Sequence, residues 1–532
     1  MDLELTRFYK ACNPTHPLDS SNEEDRSYYV DLSTVRGAKL IESLARTISR
    51  ISPEQATCQL FTGHIGCGKS TELLRLKYEL EKQKFHVAYF ECDRQLELSD
   101  VDASDILLAI AGQISSGLEK QNINIVPAYF KKLFGELKDL FQHNLNLDKS
   151  FQLSVEIAEI AALTKNDPSL RRRIRERLEY RTNSIINSIN KELLAPAKQQ
   201  LQAIGIKGLV VIVDNLDRIE SRIYPNEQSR AGYLFVDRGD QLRGLDCHVL
   251  YTVPLLLTFS NDAAIVTSRF GTDIKTLPMI PARLQDGSEC LAGMSLLRQI
   301  VMARAFPNID AMQRVGYEFI NQVFDQSQTL DRLCQASGGH VRNLFRLLYG
   351  CLEQDDPPIT SELVESIISK ERNKMMRTID IGELELIKKV QQDKRVRGES
   401  EYQTLIRSQF VFEYEYQNIS WFDINPILID EPELQEHKTI QELENFVDQE
   451  LEIYLDSTII KALNESSQQY EKYLSERDYA QAATLANDIY DMCIRIAETL
   501  NSEEQGQIYT KVIALSSYWK LSRDLYKGIS LV

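Results

Sequence analysis

Gly63-His64-Ile65-Gly66-Cys67-Gly68-Lys69-Ser70 decides how the rest of the chain is read, because it matches G-x-x-x-x-G-K-[ST] in full. The pattern describes an anion cradle: glycines let the backbone close until its N–H groups face a phosphate, and a lysine adds the charge. Its flanks agree with that reading. Cys58-Gln59-Leu60-Phe61-Thr62 is a short strand, and from Thr71 the leucines Leu73, Leu74, Leu76 and Leu80 resume helical spacing. Strand, loop and helix follow one another, and the helix N-terminus contributes a favourable dipole. Residues Gly63 to Thr71 are therefore the expected nucleotide-binding set, with Lys69 on the β/γ-phosphates and Ser70 on Mg²⁺.

Such a loop needs a second acidic ligand on a neighbouring strand. Leu209-Val210-Val211-Ile212-Val213-Asp214 supplies five apolar residues ending in a carboxylate, which makes Asp214 the expected second Mg²⁺ residue. Fast ATPases commonly place a glutamate directly after this aspartate, and here the position is Asn215. Either Asp217 polarises the attacking water or hydrolysis is slow. His86–Phe90, Val249–Val253 and Ile274–Met279 are further strands separated by helical stretches, the signature of a parallel α/β sheet with helices on both faces.

The 532 residues are 43% hydrophobic and 26% charged, which describes an ordinary globular protein of several domains. Nine cysteines lie scattered without a Cys-x-x-Cys pair, so neither a disulfide framework nor a zinc site is indicated. No run approaches the ~18 apolar residues of a membrane span, and Met1-Asp2-Leu3-Glu4-Leu5 lacks a basic leader region. A cytoplasmic protein with no membrane partner is expected. Residues 1–285 make the core, with a helical insertion at about 100–205 that ends in an arginine-dense helix (Arg171 to Arg181) and suggests an added recognition or oligomerisation surface. A helical lid follows over 286–378. Residues 379–430 have the helix-then-hairpin pattern of a winged helix, and 431–532 form a helical, TPR-like tail. Of the net charge of −17, residues 431–507 carry −13, so the acidity belongs mostly to the tail.

The order of these motifs, then Tyr251-Thr252-Val253-Pro254, Ser268-Arg269-Phe270-Gly271 and Ser337-Gly338-Gly339-His340-Val341-Arg342-Asn343, resembles an AAA+/STAND-type ATPase. The origin-recognition-like branch, with its C-terminal winged helix, is the most similar, and the likeness covers about residues 25–426. It implies an α/β P-loop NTPase core followed by lid, winged helix and all-α tail, with ATP and Mg²⁺ as ligands. It also implies roles: Thr252 as the polar residue sensing the γ-phosphate, Arg342 as the lid's sensor arginine, Arg269 as an arginine finger for a neighbouring subunit, and Arg36 beside the adenine.

Two functions follow. One is a slowly hydrolysing ATPase switch that governs oligomerisation or partner binding, homo-oligomeric in its ATP state and meeting a protein partner through the acidic tail. The alternative is a DNA-binding ATPase of initiator or transposition-regulator type. Residues 384–426 hold six Lys/Arg against seven Asp/Glu, a poor surface for phosphates, so nucleic acid is not favoured.

Overall fold

The computed structural model describes residues 3–37, 39–137, 151–165, 167–219, 229–396, 400–431, 434, 457–475, 478–499, 512, 516, 519–520 and 523. Five apolar runs become strands β1 (Cys58–Thr62), β2 (Phe85–Glu91), β3 (Gly208–Asp214), β4 (His248–Thr252) and β5 (Ile274–Thr276). All pair in parallel, in the order β2-β3-β4-β1-β5. β5 stops short of the expected Met279 because Pro278 has no N–H to donate to a ladder, and Met279 instead bridges to Tyr414. The chain leaving β1 crosses past β4 and β3 to reach β2 at the edge. The crevice at the C-terminal ends of the strands beside such a crossover is where α/β sheets bind ligands.

Side chains alternate across the sheet with period two. Leu209, Val211 and Val213 join one hydrophobic cluster, Val210 and Ile212 the other. The first face is covered by helix Ala103–Glu119, whose Ile106, Leu107, Ile110 and Ile114 are buried on it. This part of the insertion is thus a structural layer of the α/β core and not an appended surface. The second face takes Leu73, Leu76 and Leu80 of helix Lys69–Lys82 together with Ile41, Leu44 and Ile48.

That second face also receives the late hairpin, β6 (Val411–Tyr416) and β7 (Ile419–Ile424), whose turn residues Gln417 and Asn418 are both left-handed, at φ 51° and 65°. Phe412, Tyr414 and Trp421 bury in the same cluster as Phe61, Leu277 and Met279. Helices Ile381–Asp393 and Ser400–Arg407 precede the hairpin. Upstream, helices Leu291–Ala305, Ser327–Ser337, Val341–Leu352 and Ser361–Met376 share a core into which Phe8, Cys12, Leu32 and Val35 of the N-terminal segment insert. Arg304 fixes that segment, donating to Ala11 O at 3.0 Å and Tyr28 O at 2.8 Å.

Residues Met1–Ile427 form one compact unit and Leu428–Val532 a second. Within the second, helices Ser457–Ser475 and Tyr479–Thr499 pair around Tyr470, Ala486, Ile489 and Cys493, and the Tyr470 ring meets Trp519 edge-on at 4.9 Å. Residues 435–456 of the acidic stretch lie outside the described residues. Among the described residues no helix is long and apolar enough to cross a membrane.

Candidate nucleotide site

The loop after β1 is shaped by glycine. Gly66 and Gly68 have φ of 93° and 106°, and a Cβ on Gly66 would sit 2.7 Å from the His340 ring. Every carbonyl from Gly63 to Cys67 has a donor outside the loop's own ladder. Lys69 Nζ donates to Gly63 O at 2.7 Å and His64 O at 2.9 Å. Ile65 O accepts from His340 Nε2 at 2.8 Å and Gln409 Nε2 at 3.1 Å, Gly66 O from the Arg342 N–H at 3.1 Å, and Cys67 O from Arg36 Nη2 at 2.7 Å. These bonds fix the loop in the closed curve of an anion cradle, with Lys69 turned onto the loop's own carbonyls.

Lys69 is buried and pairs with Asp217 Oδ2 at 2.9 Å. Burial works most strongly against its charge, but Asp217, Cys67 and Asp214 together leave the lysine pKa raised. Asp217 Oδ1 is buried without a partner. Asp214 accepts from Tyr89 Oη at 2.7 Å and from the Asn215 N–H at 2.7 Å, and hydrogen-bonds with Ser70. Burial and then the charge of Asp217 push the Asp214 carboxyl up, while Ser70 and Tyr89 pull it back. A hydroxyl and a carboxylate touching at the helix N-terminus, beside a lysine and an orphaned carboxylate oxygen, are a donor set that fits Mg²⁺ and a polyphosphate.

Lys69, Ser70 and Asp217 line a cleft of about 260 Å³ with residues from two distant segments: Asn13 to Leu18, and Val341, Arg342 and Phe345 of the lid. Arg342 thus reaches the cleft, where burial and then neighbouring Arg218 lower its pKa. Thr71 Oγ1 accepts from the Leu18 N–H at 3.2 Å, and Arg36 lies buried behind the loop. Other expected residues are placed elsewhere. The Thr252 hydroxyl is fully buried, accepting from Leu216 N–H at 2.9 Å and donating to Val213 O at 3.3 Å, so it ties the turn after β3 to β4. Arg269 pairs with Asp240 at 2.9 Å, away from the cleft residues. Asp217, expected to activate water, lines the cleft and pairs with the lysine in this conformation. The Cys67 side chain packs inward against Gly63.

His340, Asp93 and Arg218 escaped the sequence reading as contributors to the site, and His64, expected in the phosphate loop, has a packing role the sequence did not show. His340 caps helix Val341–Leu352: its Nδ1 accepts from the Asn343 N–H at 3.1 Å, which fixes the proton on the Nε2 that meets Ile65. His64 Nε2 accepts from the Glu413 N–H at 2.8 Å, and both rings pack on Phe412. Burial drives both imidazole pKa values down to about 3. Asp93 and Arg218, paired at 2.5 Å, also border the cleft. A histidine following Gly338-Gly339 and three residues before an amide is a readable N-cap; the others depend on strand register.

Four arginines of the run at 171–181 pair locally. Arg171 and Arg175 pair with Asp100, Arg172 with Glu176 and Arg181 with Glu136.

Comparison with known proteins follows this geometry. Residues 38–224 match the KAP family P-loop domain. No curated protein matches in sequence. Among solved structures, the ORC2 protein of Aeropyrum pernix, in ADPNP–ADP complexes, is similar at 13% identity and a TM-score of 0.34, over 77% of this chain and 96% of that one. Drosophila ORC bound to DNA is similar at 10% identity and a TM-score of 0.32, over 80% and 94%. The Walker-type ATPase PABY2304 of Pyrococcus abyssi is similar at 11% identity and a TM-score of 0.35, over 80% and 99%. At these scores the fold rests on sheet order and loop geometry, not on the likeness. The matched residues hold the phosphate loop, Lys69 and Asp214, and the chain carries a P-loop NTPase domain similar to that of the KAP family.

Proposed function

We propose that the chain is an ATP-binding, slowly hydrolysing switch of AAA+/STAND type, in which nucleotide at the P-loop repositions the lid and the winged-helix-like hairpin to control self-assembly or partner binding. One observation carries this reading: the phosphate loop is gripped at once by the lid, through His340 and Arg342, and by the hairpin segment, through Gln409 and Glu413. A loop gripped from both sides cannot reshape around phosphate without being felt by both. Lys69 would hold the β/γ-phosphates after leaving Asp217, Ser70 and Asp214 would hold Mg²⁺, and Arg342 would approach the γ-phosphate from the lid. Mg²⁺, when bound, neutralises charge on the phosphates. Arg269 remains the candidate for a neighbouring subunit, and the acidic tail for a protein partner.

The alternative DNA-binding function is weakened at the arginine helix, where Arg171, Arg172, Arg175 and Arg181 pair with carboxylates of their own unit. Hydrogen exchange with and without Mg-ATP tests the switch. Protection should change at residues 338–344 and 409–416 in the wild type and stay constant in Lys69→Ala, which lacks the phosphate charge. Nucleotide binding without change in either segment would refute it.

A further inference from the structure

A P-loop enzyme needs a carboxylate to take a proton from the attacking water; Glu91, Asp93 and Asp217 line this cleft, and Asp214 lies buried behind Ser70. Three are occupied. Asp214 holds Ser70 and Tyr89. Asp217 holds Lys69. Asp93 accepts from Asn215 Nδ2 at 2.9 Å and pairs with Arg218 at 2.5 Å. The position after Asp214 is Asn215, left-handed at φ 60°, a conformation that asparagine adopts more readily than most residues.

Glu91 is placed by strand register. Along β2, Phe85, Val87 and Tyr89 all face the cluster of the P-loop helix, so Glu91, next in the alternation, ends the strand on the same face. Its Cα pairs with that of Asp214 on β3. Side chains on this face do reach across, as the Tyr89 to Asp214 bond shows. Glu91 borders the cleft with Lys69 and Ser70, its side chain 16% exposed, and its ion-pair partner Arg94 is 75% exposed and so easily exchanged for solvent.

We propose that Glu91, on the strand beside the Mg²⁺ aspartate, is the water-activating carboxylate that Asn215 does not supply. This rests on the cleft being the ATP site. The water oxygen bonds to the γ-phosphorus as its proton passes to the Glu91 carboxylate. The bond from that phosphorus to the β–γ bridging oxygen breaks, and its electron pair leaves with ADP. Glu91 returns the proton to solvent as inorganic phosphate departs.

The test is single-turnover hydrolysis of bound Mg-ATP, with affinity measured separately using a non-hydrolysable analogue. Glu91→Gln should bind the analogue within about threefold of the wild type and lose hydrolysis by ~10²-fold or more, the range expected for a missing general base. If that variant fails to bind, Glu91→Asp keeps the charge but withdraws it by one methylene, and should lose about tenfold or more from bound ATP. Wild-type hydrolysis in the variant that binds overturns the proposal, whatever Asp217→Asn does. A wild-type protein that binds no nucleotide overturns the ATP-site reading instead, and one that binds without hydrolysing overturns the Glu91 role alone.

Discussion

Lys69 donates to two loop carbonyls and to Asp217, so in this conformation its ammonium is fully engaged before any phosphate arrives. Nucleotide must therefore compete with Asp217. Breaking a buried ion pair from one side costs about 3–5 kcal/mol because the remaining charge is left uncompensated. Asp217→Asn should accordingly melt earlier than the wild type without ligand and gain more from Mg-ATP, since phosphate replaces the lost carboxylate. Equal ligand-induced shifts in melting temperature would show that Asp217 does not compete for the lysine. The loop itself was legible in the sequence because its geometry is local: eight consecutive residues specify the cradle. Glu91 was not, because its place depends on pairing with Asp214, 123 positions away along the chain. Asp93 was hidden for the same reason, and the role of Asp217 depended on where Lys69 points without ligand.

The strands and their order of appearance followed from apolar runs, and the hairpin from its two-residue turn, because period and turn chemistry are local signals. What the hairpin packs on was not readable. Its Phe412 lies between His64 of the phosphate loop and His340 of the lid, residues far apart in the sequence. The docking of lid and hairpin onto the loop is consequently acid-labile. Both imidazoles sit near a pKa of about 3 in the fold, against the ordinary 6.5, so as pH falls below 6.5 the unfolded chain takes up protons that the folded chain refuses. Stability is present above about pH 6.5 and drains away towards pH 3, at about 1.4 kcal/mol per pH unit for each ring. In denaturant titrations between pH 7 and pH 5, His64→Gln and His340→Gln should each be less stable at pH 7 but flatter in pH dependence. An unchanged slope in both would mean that these rings are not the acid-sensitive contacts.

At the scale of the whole chain, the unit Met1–Ile427 is more tightly integrated than a string of sequence segments suggests. The first 35 residues look uninformative, yet Phe8, Cys12, Leu32 and Val35 fill the lid core while Asn13 to Leu18 border the nucleotide cleft, so the chain's beginning ties lid to loop. The cleft nevertheless gathers no arginine from helix Ala263–Phe270, where Arg269 sits paired with Asp240 on a part-exposed surface. If a neighbouring copy completes the site, that arginine must act across an interface, stabilising the charge that develops on the transferred phosphoryl group. Specific activity should then rise with protein concentration, and Arg269→Ala should bind Mg-ATP normally while hydrolysing poorly. Asp240→Ala frees the same arginine and separates the two accounts: it should preserve hydrolysis if Arg269 serves a partner, and should match Arg269→Ala if the pair only braces the surface. Mixing Lys69→Ala, which keeps the arginine but loses the phosphate lysine, with Arg269→Ala should recover part of the lost rate through mixed interfaces. Activity independent of concentration, with no recovery on mixing two folded variants, would make each protomer a complete enzyme and leave Arg269 a surface residue.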